Sequence, residues 1–147
     1  MGEKEPAGPQ DLSSTIARDV LRWTNVERLG AGLEPVAWSE VLARAARAHS
    51  EEMARLGYFS HISPDPKNVT PMRRVRNAGL VAQSLVVGEN IAKGDWEDHR
   101  ARRAVQAWMQ SDRHRENLLR PTFRYLGVGV AWQGRTYYIT QVFGSSG

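Results

Sequence analysis

The chain has 147 residues, 41% hydrophobic and 24% charged, which suits one globular domain and excludes a disordered or fibrous chain. Folding at that length removes about 68–70% of the unfolded chain's surface from water, enough for a core without covalent staples. The absence of cysteine excludes a disulfide scaffold, a zinc–thiolate centre and a cysteine nucleophile. The basic excess of 20 − 16 = +4 does not demand a nucleic-acid partner.

Residues 1–11 are polar and rich in Pro and Gly, with no basic stretch followed by an apolar one. They read as a flexible leader rather than a signal peptide. Residues 12–144 read as the domain and 145–147 as an unstructured tail. No apolar run approaches the roughly 18 residues of a membrane helix.

Leu12, Ile16, Val20, Trp23 and Val26 recur at helical spacing, predicting a first helix capped by Ser13 or Ser14 and ended by Gly30 or Gly32. A second helix opens at Ser39, buries Leu42, Ala45, Ala46, His49, Met53 and Leu56, and stops at Gly57. After a polar loop through 60–66, Pro71 suits the first position of a short basic helix over 72–78, closed by Gly79. Leu85, Val86 and Val87 predict a short buried strand leading into 88–92. Asp95 is the expected cap of a helix with Ala101, Ala104, Val105 and Trp108 inward and Arg100, Arg102 and Arg103 outward. A turn at 111–113 leads to His114. The β-formers of 125–132 and 136–143, with Gln133-Gly134 between them, predict a terminal hairpin. The fold class is α+β, a single domain of helices packed on a small antiparallel sheet.

Among the four histidines, His49 lies on an apolar stripe and reads as a hydrogen-bonded core residue. His99 falls in a charged helix start and reads as solvated. His61 and His114 are placed in loops, where function concentrates; each has either a local pairing role or a site role. Glu89, the one acid between Asp65 and Asp95, is either buried and paired or aimed into a cleft. No G-x-S-x-G elbow supports Ser60 as a nucleophile. Gly127 and Gly129, in a strand pattern, allow close backbone approach rather than phosphate binding. Arg73, Arg74 and Arg76, with Arg100, Arg102 and Arg103, read as solvated helix faces; the aromatics fall at core-like positions, so nucleic acid is not expected.

Several segments together resemble the CAP superfamily, the SCP/PR-1-like domains of cysteine-rich secretory, antigen 5 and pathogenesis-related-1 proteins, and most closely its cysteine-free bacterial branch. They include Asn25 and Arg28, residues 45–49 with Met53, and Phe59-Ser60-His61. The strongest are Gly88-Glu89-Asn90-Ile91-Ala92, the run from Trp108 through His114 to Leu119, Gly127-Val128-Gly129, and residues 140–144. The resemblance implies an α-β-α sandwich with a cleft, export to the cell envelope or beyond, and a divalent metal such as zinc held by two histidines and two acids. His61 matches the first histidine, Glu89 the first acid and His114 the second histidine. The second acid falls on Ser111, a departure for which Asp112 and Glu116 are the nearby substitutes. The metal-site candidates are therefore His61, Glu89 and His114, with Ser111 in the same cluster.

The first function expected is a secreted binding module that engages a lipid, a cell-wall component or a protein. The second is a metal-dependent, peptidase-like hydrolase using His61, Glu89 and His114. A scaffold role for the arginine faces is the third.

Overall fold

Three layers arise because the helical stripes and the alternating strands present apolar faces that only each other can cover. The computed structural model describes residues 9–82 and 84–146. In chain order the elements are α1 (Pro9–Gly30), β1 (Ala37–Trp38), α2 (Glu40–Leu56), a 3-10 turn (Pro66–Asn68), α3 (Pro71–Asn77), β2 (Leu85–Gly94), α4 (Arg100–Met109), α5 (Asp112–Leu118), β3 (Tyr125–Gln133) and β4 (Thr136–Ser146). The sheet order is β1-β3-β4-β2. Strands β2, β4 and β3 are antiparallel, and the two-residue β1 joins β3 in parallel, so the sheet is mixed at that edge.

Ile16 and Val20 of α1 and Ala104, Val105 and Trp108 of α4 pack with Leu126, Val128, Ile139 and Phe143 on one face. On the other, Leu42, Ala45 and Ala46 of α2 and Val75 of α3 meet Val142, while Met53 and Ala54 meet Ile91 and Tyr138. The result is the expected α-β-α sandwich. Gly127 and Gly129 set the closeness of α2 to the sheet: a Cβ on Gly129 would lie 2.1 Å from the Arg47 nitrogen, and one on Gly127 2.0 Å from that of Ala43.

Helix α2 follows its sequence signals: the Ser39 side chain accepts from the Leu42 N–H, and Gly57 closes it in the left-handed region. Elsewhere the boundaries move. Helix α1 begins at Pro9, so Ser13 and Ser14 lie inside it, and only residues 1–8 of the expected leader fall outside the described residues. Strand β4 continues to Ser146, opposite Leu85, which places Ser145 and Ser146 in the sheet rather than in a tail. Asp95 caps nothing. Instead it accepts from Thr136 Oγ1 at 2.9 Å, and α4 starts after His99, which has φ 50°. The hairpin loop is Gly134-Arg135 rather than Gln133-Gly134, because Gln133 pairs with Thr136 and the positive φ of a tight hairpin falls on Gly134. Val26 and Leu56 sit at the ends of their stripes and are half exposed.

Several residues that carry the family resemblance lock this architecture. Trp108 Nε1 donates to the Ile91 carbonyl at 3.0 Å and Asn117 Nδ2 to the Glu89 carbonyl at 3.2 Å, capping the outer edge of β2. Asn90 donates to Gln141 Oε1 and to the His114 carbonyl, and Gln141 donates to Thr24, so one buried network ties β2, β4, α1 and α5. The fully buried Arg28 donates to the carbonyls of Glu34, Leu118 and Arg120, fastening α1 to the segment after α5.

Candidate functional site: a locked carboxylate behind an open imidazole

Strand alternation turns Glu89 toward the α2–α3 layer, where it is 6% exposed. A carboxylate so far from water requires a partner. That partner is Arg74, itself 4% exposed, whose Nη2 donates to Glu89 Oε1 at 3.0 Å and Oε2 at 2.9 Å. The same guanidinium donates to the carbonyls of Asn68 and His61, both at 2.9 Å. Arg74 therefore joins α3, the loop after α2 and β2 at one point. Sequence reasoning placed it on a solvated basic face, and the structure corrects this. The available signal was Glu89 itself: an acid in an apolar strand needs a buried cation, and the adjacent short helix is rich in arginine.

His61 lies in the loop after α2, and its Nδ1 is 2.9 Å from Glu89 Oε1. The ionised carboxylate can only accept, so Nδ1 is the donor, and the other ring nitrogen belongs to a side chain that is 45% exposed. His49 lies directly behind. It is buried, donates from Nε2 to the Ser60 carbonyl at 2.8 Å, and sits 3.8 Å from Glu89 Oε1. Burial holds its pKa below the ordinary imidazole value, against the raising influence of Glu89. This is the hydrogen-bonded core histidine expected, in contact with the candidate cluster.

The loop bearing His61 is held by a second buried acid. Glu52 of α2 accepts from Tyr58, from Ser63 and, at 3.4 Å, from Asn68. Burial pushes the Glu52 carboxyl up, but those hydrogen bonds outweigh it and leave the pKa lowered. Burial and the hydrogen bond to Glu52 push the Tyr58 hydroxyl up to about 12. Sequence reasoning missed Glu52, which reads there as one more charged helix position.

His114 belongs to α5 rather than to a loop. Its imidazole is half-buried, and burial followed by the nearby charges of His61 and Arg113 lowers its pKa. The charge of His61 is thus felt at His114, although 53 residues separate the two in the chain. Ser111 precedes α5 at the N-cap without a side-chain capping bond. Neither substitute acid is drawn in: Asp112 is exposed and paired with Arg115 at 2.6 Å, and Glu116 is exposed. His99 is exposed beside Asp98, as expected.

Among the described residues no group of three or more histidines and acids is arranged to hold a metal. Arg74 donates to both oxygens of Glu89, the acid that the family resemblance places among the ligands.

Two hollows lie elsewhere. One, of about 630 Å³, runs between α1 and α2 beside β3. The other, of about 300 Å³, is lined by Trp38, Leu42, Leu80, Leu85 and Tyr125 among others. No helix is long and apolar enough to cross a membrane among the described residues.

Comparison with known proteins agrees with this fold. Residues 21–143 match the model of the cysteine-rich secretory protein family, CAP. The Bacillus subtilis (strain 168) protein YkwD is 37% identical over 130 residues, which is 88% of this chain and 47% of that protein. The chain spans less than half the length of the two curated relatives it matches. An extracellular protein containing an SCP domain from Bacillus anthracis superposes with a TM-score of 0.80 at 32% identity, over 95% of this chain and 44% of that one. An outer surface protein of Borrelia burgdorferi shares the fold along the whole of both chains, with a TM-score of 0.75 at 20% identity. The chain belongs to the CAP family of cysteine-rich secretory proteins.

Proposed function

We propose that this chain is an exported binding domain whose His61–His114 face engages a cell-wall component, a lipid or a protein, rather than a hydrolase. The observation that carries the reading is the locking of Glu89. A general base must reach substrate or water, and this carboxylate is only 6% exposed, with both oxygens accepting from Arg74 and one of them from His61 as well. The carboxylate thus acts on the imidazole, fixing its tautomer and orientation, and does not reach substrate.

Zinc or another divalent ion would be held by His61 Nε2 and an imidazole nitrogen of His114, and would supply a Lewis-acidic contact for an electron-rich group of the ligand. The apolar hollow bounded by Trp38, Leu42, Leu80 and Leu85 supports a lipid among the candidate ligands.

The test uses the purified domain with and without zinc, pelleted with insoluble peptidoglycan and floated with phosphatidylglycerol vesicles, beside a casein digestion assay. Retention by the cell wall or the vesicles that falls in His61→Ala and His114→Ala, without casein cleavage, is the expected result. Cleavage that disappears in His61→Ala would establish the hydrolase reading instead.

A further inference from the structure

The smaller hollow lies where the start of α2, the start of β3 and the end of β4 meet the segment after α3. It measures about 300 Å³, and its walls include Trp38, Leu42, Leu80, Ala82, Leu85 and Tyr125. No charged side chain is among its lining residues. Trp38 Nε1 donates to Glu40 at 3.1 Å, so the indole presents carbon to the hollow. Val81, 85% exposed, stands in the chain between two lining residues, and Tyr125 is itself 49% exposed. Apolar surface thus continues from the interior of the hollow to its mouth.

The surroundings of that mouth are basic. Segments 37–45, 78–87, 124–127 and 142–146 carry the lining, and they contain one acid, Glu40, against two cations, Arg44 and Arg124. Glu40 is already neutralised, because Arg47 pairs with it at 2.6 Å. Arg44 donates to the Ala78 carbonyl at 3.0 Å, two residues before Leu80, and Arg124 donates to the Pro121 and Phe123 carbonyls. Both arginines are exposed, and neither enters an ion pair among the described residues. Carbon walls beside unmatched guanidinium charge suit a molecule with an apolar tail and an anionic head.

We infer that this hollow binds the alkyl chain of a single-chain carboxylate, a fatty acid, with the carboxylate at the mouth beside Arg44. The volume equals about ten water-sized units of roughly 30 Å³, room for a chain of roughly ten carbons. Tail burial supplies the attraction, in proportion to the methylenes taken from water. The head adds a surface charge pair, worth less. The inference deepens the lipid reading given above and rests on it for the kind of ligand. It shares no residue with the His61–His114 face, so the two are tested apart.

The probes are hexanoate, octanoate and decanoate below their micelle concentrations, with 1-octanol as the uncharged control, titrated into 15N-labelled protein. The expected result is saturable shifts at the amides of Leu80, Ala82, Leu85, Tyr125 and Gly144. Affinity should rise about tenfold for each two carbons added. Arg44→Gln should weaken octanoate about threefold, the loss of one surface charge pair, and leave 1-octanol unchanged. His61→Ala and His114→Ala should bind decanoate as the wild type does. No saturable change with decanoate would overturn the inference, and retention of the same protein by cell wall or vesicles would then leave the reading of the His61 face standing. Affinity independent of chain length, or an equal response of octanoate and 1-octanol to Arg44→Gln, would also overturn it. Decanoate binding lost in either histidine variant would overturn it too, by assigning the chain to the other face.

Discussion

Replacing Arg74 by methionine leaves the Glu89 carboxylate buried without its counter-charge. The guanidinium makes two short contacts to Glu89 and donates to the carbonyls of Asn68 and His61, and both side chains are no more than 3% exposed. Removing one partner of such a pair costs about 3–5 kcal/mol, most of it the penalty on the stranded charge. For a domain of this size that corresponds to a fall in Tm of roughly 10–15 °C. The double variant Arg74→Met/Glu89→Gln removes both charges and should regain much of the loss, because a buried pair is worth little against a matched neutral replacement. Urea and thermal unfolding of the wild type, both single variants and the double variant complete the cycle. A cost below about 1 kcal/mol for Arg74→Met, or simple additivity in the double variant, would refute the assignment of Arg74 as the counter-ion.

Gly129→Ala should destabilise by about 3 kcal/mol or more, because the new methyl meets the backbone of Ala46 and Arg47 rather than a movable side chain; chemical unfolding reads this directly. Glu52→Gln weakens the acceptor for Tyr58 and Ser63, so amide hydrogen exchange over residues 58–69 should accelerate while the strands keep their protection. The lowered pKa of His49 comes first from burial, then from Arg74, opposed by Glu89, the Ser60 hydrogen bond and Glu52. The unfolded chain therefore takes up a proton near pH 6.5 that the native state refuses, and stability falls as pH drops from about 6.5 toward the native value. His114, lowered in the same direction, adds to the slope. Tm measured from pH 7.5 to 5 should decline less steeply in His49→Gln than in the wild type; an equal slope would place the titration elsewhere.

Much of the frame was legible in residue spacing. The stripe of α2, its cap at Ser39 and its stop at Gly57 are local signals, and local signals decide helices with strong periodicity. Gly127 and Gly129 also read correctly, since paired glycines in a β-forming run leave few explanations besides close backbone approach. The cluster was half legible. The family pattern singles out His61, Glu89 and His114, but whether Glu89 faces a metal or a guanidinium depends on where α3 lands against β2. A run of three arginines within a single short helix looks solvated on a helical wheel, and only the tertiary contact distinguishes Arg74 from Arg73 and Arg76. Glu52 was illegible for the same reason, because its partners Tyr58, Ser63 and Asn68 come from a loop without periodicity. Likewise, the Asp95 cap failed because a side chain that can cap a helix can equally accept from Thr136 across the sheet end.

The account rests on two histidines forming the open face while Glu89 orients one of them from behind. Zinc titration by calorimetry at pH 7.5, on metal-stripped wild type and on folded His61→Ala, His114→Ala and Glu89→Gln, tests this most directly. One-to-one binding lost in both histidine variants, but only weakened about 10–100-fold in Glu89→Gln as for an orienting partner, is the predicted result. Binding that survives either histidine change would contradict the account, as would binding abolished outright by Glu89→Gln.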